Sequence, residues 1–478
     1  MSQPITWRDA ARQRLRAAPF DVLVIGGGIN GAGIARDAAL RGLKIALVER
    51  DDFASGTSSR SSRLVHGGVR YLEHGFLHLV FESSRERRIL LRIAPHLVRP
   101  LEFTWPVYRR ARIPRWKLVA GLWLYDLLAL FRNVARHRPL SAPGVLAAEP
   151  GLRPDGLTGG ATYFDAATDD ARLTVSNVVD AARAGAVVLN HAEVTALLFD
   201  GQRATGAAVR DRLNGEEFEV RAGALVNATG PWTDTVSRME DPRSRPAVLG
   251  TKGVHVAVPA DRVANRGAVT LLSPVDGRVM FVLPAGRHTI IGTTDTPTTE
   301  TPDQVRAARA DVQYLLKSVN AYFPAAHLVP DDVVAAWAGI RPLIASGTAG
   351  DPAGASREHE VAAGPRGVIS VTGGKLTTYR AMSAEVVSVV QRRLGVRVTA
   401  SPTAARELPD VTNEFACTVA DVLVRRTKLA FETRDHGLSA APGVAAELAE
   451  RFGWSPAGIE GALDAYRTEV ARLFTIEP

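Results

Sequence analysis

The glycine-rich run Gly26-Gly27-Gly28-Ile29-Asn30-Gly31 constrains this chain more than any other feature, because of what stands on either side of it. Asp21-Val-Leu-Val-Ile25 before it is a short, wholly apolar run of the kind that forms a buried strand. Gly31 to Gly42 after it is an Ala-rich helix, and Leu43 to Val48 reads as a second strand. Phe20 to Arg50 is therefore one strand–helix–strand unit. Glycines at its first turn let the backbone approach a pyrophosphate, which sits at the helix N-terminus, where free N–H groups and the dipole favour negative charge. Glu49 closes the second strand. There a carboxylate can accept from the ribose hydroxyls of an adenosine and disfavour a 2′-phosphate.

Two further strands end in glycine. Leu225-Val-Asn-Ala228-Thr229-Gly230 runs into Pro-Trp, a pattern that would also suit an ordinary strand-to-turn transition. Gly367 to Val371 breaks at Thr-Gly373-Gly374-Lys375, after which Leu376 to Leu394 is an amphipathic helix. That break aims a second helix N-terminus and the Lys375 ammonium at something electron-rich, such as a reduced flavin. Three glycine-punctuated strands, spread from one end of the chain to the other, suit an extended FAD across a discontinuous domain better than NAD alone.

Asp51 to Gly75 is too long for a simple connector and is rich in Ser, Gly and Arg. Its hydroxyls and glycines offer a hydrogen-bonding surface for phosphates or a flavin edge. Leu77 to Pro95 and Trp116 to Arg136 read as helices, Pro95 to Pro114 as extended, and Pro150 to Gly160 as a turn region and domain boundary. Asp170 to Ala184 is a helix leading to Val187–Leu189. Ala207 to Asp211 and Phe218 to Arg221 look like paired strands. Val248 to Asp295 alternates as an antiparallel sheet, Asp303 to Tyr322 is a helix, and beyond Pro402 only helices follow.

The charge is +8, yet Lys44, Lys117, Lys252, Lys317, Lys375 and Lys428 are the only lysines among 58 basic residues. Arg favours planar anion contacts, so phosphate, nucleic acid and anionic lipid are all candidate partners. Aromatics make up 6% of the chain and no basic run is interleaved with them, which weighs against nucleic acid. Stretches such as Arg85-Glu86-Arg87-Arg88 read as solvated helix faces. Cys417 is the only cysteine, so there is no intrachain disulfide and no Cys-based metal site, and a reducing cytoplasmic setting is expected. No calcium or zinc motif is present. The longest apolar run, Leu118 to Leu130, rises only ~20 Å as a helix, against a hydrocarbon core of ~30 Å, and Asp126 interrupts it.

These stretches closely resemble the bacterial, FAD-dependent, respiratory glycerol-3-phosphate dehydrogenases of the D-amino-acid-oxidase-like flavoprotein superfamily. The matching segments are Gly26 to Asp37, Thr57-Ser58-Ser59, Leu64 to Glu73, Asp169 to Arg172, Asn227 to Trp232, Thr251 to His255 and Gly292 to Asp295. Gly339 to Leu343, Ser356-Arg357, Gly373 to Arg380 and Asp421 to Lys428 complete the set. The resemblance implies an α/β fold: a discontinuous Rossmann-type FAD domain (18–95, 150–235, 335–400), an antiparallel β-rich substrate domain (96–149, 236–334) and a helical C-terminal cap (401–478). It implies FAD contacts at Gly26, Gly28, Ile29, Asn30, Gly31, Glu49, Thr57, Ser58, Ser59, Ser62, Leu64, His66, Gly67, Gly68, Val194, Ala228, Thr229, Gly230, Gly374, Lys375, Leu376 and Thr377. His66 reads equally well as a residue that holds its loop through backbone bonds.

The substrate implied is sn-glycerol 3-phosphate, a near-dianion with one secondary alcohol to oxidise. By matching motifs, Arg70, Arg341 and Arg357 would clamp its phosphate, with Tyr71 as a neutral donor and Lys375 touching flavin and substrate. His255 is the best candidate for the proton acceptor, although in an alternating strand it also reads as a satisfied sheet histidine. His359 stands where the family often has an aromatic residue. The family passes its electrons to membrane quinone, which implies a peripheral site on the inner face of the cell membrane, and a homodimer is its usual state. Trp116 to Arg136, with Arg109, Arg110, Arg112, Arg115 and Lys117 close by, suits an interfacial helix on anionic lipid, or a buried helix of the substrate domain. An oxidase of the same fold, delivering electrons to oxygen, is the alternative.

Overall fold

The computed structural model describes residues 6–69, 72, 75–131, 133–344 and 359–478. Two sheets organise them. The first runs in the order His359–Ala363, Ile369–Gly373, Glu217–Asn227, Phe20–Ile25, Ile45–Val48, Val187–Leu189, with Ala192–Asp200 and Arg203–Asp211 attached beside Glu217–Asn227. Its central strands are parallel. Val22–Ile25 and Ile45–Val48 are buried throughout, as a parallel sheet covered on both faces requires. Helix Ile29–Leu40 packs between helices Asp170–Arg183 and Tyr379–Arg393, so segments far apart in sequence build one dinucleotide unit.

The second sheet has ten strands, in the order Thr296–Pro297, Val248–Pro259, His288–Gly292, Val279–Ala285, Ala268–Leu272, Val98–Tyr108, Leu157–Thr168, Leu64–Val65. Ala335–Ile344 lies along Val248–Pro259, and Arg138–Leu140 along Leu157–Thr168. It is antiparallel apart from one parallel pairing, Ala268–Val269 on Phe103–Thr104. Of the segments assigned above to the FAD domain, 157–168 and 335–344 are strands of this second sheet.

Several local expectations need correcting. Pro150 to Gly160 is not simply a turn: Leu157–Thr168 is a long, largely buried strand. Its glycines serve close approach, since a Cβ on Gly160 would stand 2.3 Å from the Trp105 carbonyl oxygen of the paired strand. Phe218–Arg221 and Ala224–Asn227 are one strand, antiparallel to Arg203–Asp211 in its first half and parallel to Phe20–Ile25 in its second. The helix expected over Trp116–Arg136 stops at Leu128, and Leu130 and Phe131 take left-handed backbone at φ +54° and +53°. The helix expected from Asp303 to Tyr322 covers only Arg309–Asn320. An N-terminal helix, Trp7–Ala17, had no forecast; Thr6 and Asp9 form its capping box.

Arg85 and Arg88 are exposed, but Glu86 and Arg87 between them are buried rather than solvated. Glu86 accepts two bonds from Arg380, at 2.7 and 2.6 Å, and Arg87 pairs with Asp165 and Tyr125. Helix Leu77–Ile93 therefore turns two charged side chains inward, where long-range partners neutralise them.

The C-terminal region is helical: a π-helical turn at Asp421–Arg426, then Leu429–Glu432, Ala441–Phe452 and Pro456–Phe474. Arg425 and Arg426 both bond Asp52, just past the strand that ends at Val48, and Asp421 bonds His191 at 2.9 Å. Asp52, His191 and Asp421 cluster closely enough to suggest cation ligands, but the two guanidiniums already neutralise them.

Candidate active site

A cleft of about 260 Å³ opens along the C-terminal ends of the first sheet's parallel strands. The glycine turn forms its floor. A side chain at residue 31 would put Cβ 1.8 Å from the Gly26 carbonyl oxygen, so only glycine lets the helix start so close to the strand. Glu49 stands at the far end of the turn, its carboxylate accepting from the backbone N–H groups of Gly27 (2.6 Å) and Asp51 (2.9 Å). Burial raises its pKa, with nearby Asp51 adding to the effect, while those two N–H groups pull the other way. An ionised carboxylate has about four acceptor positions, which leaves room for ribose hydroxyls.

Most of the expected cofactor residues line this cleft: Gly26, Gly28, Ile29, Asn30, Glu49, Thr57, Ser58, Val194, Ala228, Thr229, Gly230, Gly374, Lys375 and Leu376. Gly31, Ser59, Ser62, Leu64, His66, Gly67, Gly68 and Thr377 are not among the lining residues. The hydroxyls after Gly56 turn out to hold the loop in place. Thr57 donates to the Ile340 carbonyl (2.7 Å), Ser58 accepts from Ile29 N–H (2.9 Å), Ser59 reaches back to Gly56, and Ser61 donates to Asp170 (2.7 Å). Leu64 lies in the second sheet's core, paired with Ala167. The Thr377 hydroxyl brackets the backbone of His66, 3.2 Å from both its N–H and its carbonyl, and Gly67 N–H donates to Asp165.

The strands Val248–Pro259 and Ala335–Ile344 set His255 opposite Trp337 and Thr251 opposite Arg341. His255 is 2% exposed, stacks on Trp337 with ring centroids 5.5 Å apart, and shares a 2.8 Å hydrogen bond between Nε2 and the Ser62 hydroxyl. Burial pushes its pKa down to about 3, and the Arg341 and Arg63 guanidiniums add to that, so the ring is neutral. The Arg341 guanidinium is steered by Asp295 (3.0 Å), the Thr293 hydroxyl (2.9 Å) and the Thr294 carbonyl (3.0 Å). Pro342, next in the chain, lines the cleft along with Lys375, whose ammonium lies 3.5 Å from the Ser83 hydroxyl. Arg70, Tyr71 and Arg357 lie outside the described residues. Lys252, three residues before His255, points the other way and pairs with Glu300 and Asp311. His359 bonds Glu385 at 2.8 Å.

Sequence reasoning missed several contributors. Trp337 was not singled out, although it forms the floor under His255. Arg63, one of the arginines of the Asp51 to Gly75 loop, stacks over both Trp337 and Phe431. Thr235, Val236 and Met239, on the short helix Thr233–Glu240, also line the cleft. Eight residues carry too few helical repeats to stand out.

A family model described as "FAD dependent oxidoreductase" matches residues 21–380, and another, "C-terminal domain of alpha-glycerophosphate oxidase", matches 379–459. Glycerol-3-phosphate dehydrogenase 2 of Mycobacterium tuberculosis (strain ATCC 25618 / H37Rv) is 44% identical over 86% of this chain and 69% of its own length. The aerobic glycerol-3-phosphate dehydrogenase of Staphylococcus aureus (strain NCTC 8325 / PS 47) is 38% identical over 81% of this chain and 70% of its own. Among solved structures, the glycerol-3-phosphate dehydrogenase from Bacillus halodurans complexed with FAD gives a TM-score of 0.82 at 29% identity, covering 98% of both chains. Sharing its sequence with such relatives and its whole architecture with an FAD complex, the chain belongs to the FAD-dependent oxidoreductases, in the branch of the glycerol-3-phosphate dehydrogenases, and FAD is its cofactor.

Proposed function

We propose that the chain oxidises sn-glycerol 3-phosphate to dihydroxyacetone phosphate and passes the electrons to a membrane quinone. The observation that carries the reading is a buried, neutral histidine beside the Arg341 guanidinium, whose chain neighbour Pro342 lines the FAD cleft along with Lys375. FAD supplies the hydride acceptor. The chain supplies the rest. Arg341, with Arg70 and Arg357, takes the phosphate, and its fixed orientation by Asp295 and Thr293 keeps the substrate's carbon chain from sliding. His255 is neutral and so able to take the C2 hydroxyl proton. The arriving phosphate dianion offsets the two guanidiniums that disfavour its charged form.

The acceptor side is supported by the surface. Leu118 and Leu122 of helix Arg115–Leu128 face inward, while Trp116, Trp123 and Leu127 are more than half exposed. Leu130, Phe131 and Val134 extend that apolar face beyond the helix, and Phe76, Leu77 and Phe81 are exposed on the helix packed against it. With Arg109, Arg110, Arg112, Arg115 and Lys117 at its edge, this surface suits a peripheral seat on anionic lipid. Among the described residues no helix is long and apolar enough to cross a membrane. The match of residues 379–459 to an oxidase C-terminal domain favours a second reading, with oxygen as acceptor and hydrogen peroxide as product.

Anaerobic addition of glycerol 3-phosphate should bleach the oxidised flavin bands. Unchanged bands would overturn the substrate assignment. Reoxidation by a quinone analogue, against peroxide yield in air, separates the two acceptors. Replacing Trp116, Trp123 and Leu127 with Ser should weaken binding to anionic vesicles at least about tenfold without slowing flavin reduction in solution.

A further inference from the structure

His255 is boxed in on every side but one. Trp337 covers one face, the ring planes within 13° of parallel. On the neighbouring strand, Gly292 has no side chain because the ring edge occupies the space: a Cβ there would lie 2.2 Å from His255 Cδ2. Nδ1 is buried, and among the described residues it has no hydrogen-bond partner. Nε2 faces the Ser62 hydroxyl at 2.8 Å. Ser62 is only half-buried, and its neighbour Ser61 lines the FAD cleft. A ring enclosed in this way exchanges protons through Nε2, and the group standing at Nε2 is Ser62.

A serine hydroxyl has one proton to give and two lone pairs to receive with, so it can take a proton on one side while releasing its own on the other. We propose that Ser62 is the proton relay between the substrate hydroxyl and His255, rather than a contact to the cofactor. This rests on His255 being the proton acceptor. In the step, the O–H bond at C2 breaks and its proton bonds to Ser62 Oγ. The proton of Ser62 bonds to His255 Nε2, which turns the imidazole into an imidazolium. The electron pair of the C2–H bond leaves with its hydrogen as hydride to the enzyme's FAD, and the C2–O bond becomes a carbonyl. Two electrons and one hydrogen go to FAD, one proton goes to His255, and Ser62 ends unchanged. Trp337 and Gly292 keep the ring from turning Nε2 away while this happens.

The experiment is single-turnover flavin reduction by glycerol 3-phosphate in the FAD-loaded full chain, comparing Ser62→Ala, Ser62→Thr and His255→Asn. For Ser62→Ala the relay predicts a limiting reduction rate about 10²-fold lower, with FAD content and half-saturating substrate little changed. Ser62→Thr, which keeps the hydroxyl, should recover to within about fivefold. A proton inventory in mixed H₂O and D₂O should be bowed for the parent enzyme, as two protons in flight require, and straight for Ser62→Ala. If Ser62→Ala reduces its flavin at the parent rate while His255→Asn is slow, the relay is wrong and the base assignment stands. If His255→Asn is also fast, the base assignment itself fails. If Ser62→Ala purifies without FAD while Ser62→Thr retains it at a parent-like rate and a straight inventory, Ser62 is a cofactor contact and the relay is overturned.

Discussion

Gly67 and Tyr125 meet so closely that a methyl group on residue 67 would lie 2.1 Å from the phenolic oxygen. That oxygen donates to Asp165 at 2.7 Å, and Asp165 also accepts from Gly67 N–H at 2.8 Å, so one buried carboxylate ties the loop to the helix behind it. Gly67→Ala should therefore destabilise the protein by about 1–3 kcal/mol, the usual cost of overpacking. Combining it with Tyr125→Phe, which removes the clashing atom, should cost less than the sum of the two single changes. Urea denaturation of the four proteins in this cycle measures both effects.

Arg87 and Arg88 are adjacent and look alike in sequence, but Arg87 is 2% exposed and Arg88 faces solvent. Removing Arg87 strands the Asp165 charge in the interior, where an unpaired carboxylate costs about 3–5 kcal/mol. Arg88→Ala should fall within about 0.5 kcal/mol of the parent. Equal effects in denaturant titrations would contradict the buried pairing.

Glu49 holds two backbone N–H groups and also lines the cleft. A Gln there has only one carbonyl oxygen to accept with, so one of those N–H groups meets an amide donor instead. Glu49→Gln should loosen FAD about 10- to 100-fold, the loss of one or two charge-assisted hydrogen bonds. Fluorescence titration of apoprotein with FAD reads this directly.

His191 and Asp421 join the dinucleotide unit to the C-terminal helices. Burial disfavours the His191 imidazolium, but the Asp421 carboxylate outweighs it and leaves the pKa raised. Burial likewise opposes ionised Asp421, yet His191, Arg425 and Arg426 hold its pKa well below the carboxylate range. The histidine's contribution to stability is complete below its unfolded pKa of about 6.5 and fades as pH rises through the higher folded value. The aspartate's contribution is complete above about pH 4 and is lost only as pH falls through its lowered value. Thermal melts from about pH 6 to about pH 9 should therefore slope downward more steeply in the parent than in His191→Gln. Parallel curves would mean that this pair does not couple the two regions.

Much of the dinucleotide unit could be read from local pattern, because its signals are local. The glycine turn, the apolar runs beside it and Glu49 all lie within thirty residues of one another, and each reports the shape of its own backbone. What escaped the reading depends on distant partners. The glycines at 159 and 160 looked like a turn because nothing nearby reveals the backbone of two other strands pressing on them, the Leu140 carbonyl on Gly159 and the Trp105 carbonyl on Gly160. Arg87 looked solvated because Asp165 lies far along the chain. The hydroxyls of Thr57, Ser58, Ser59 and Ser61 bond protein groups such as the Ile340 carbonyl and the Asp170 carboxylate, and composition cannot show those distant partners, although Thr57 and Ser58 also line the cleft as expected. His255 was picked out by its motif and Ser62 as a flavin contact, but Trp337 beneath the ring, and the bond that joins Ser62 to it, became visible only in the folded chain.

The pairing of Val226 with Ile369 and Asn227 with Ser370 sets a timetable for the ribosome. Phe20–Ile25, Glu217–Asn227 and Ile369–Gly373 become neighbours only after the last of them has emerged. At roughly 5–20 residues per second, the glycine turn waits tens of seconds for its third wall. From the emergence of Asn227 until Ile369 follows it, the strand Glu217–Asn227 keeps an open edge at Val226 and Asn227 for solvent or a chaperone to cover. Flavin capture therefore belongs to the end of synthesis, and a chain stalled before residue 370 carries the fingerprint without the means to close on a cofactor.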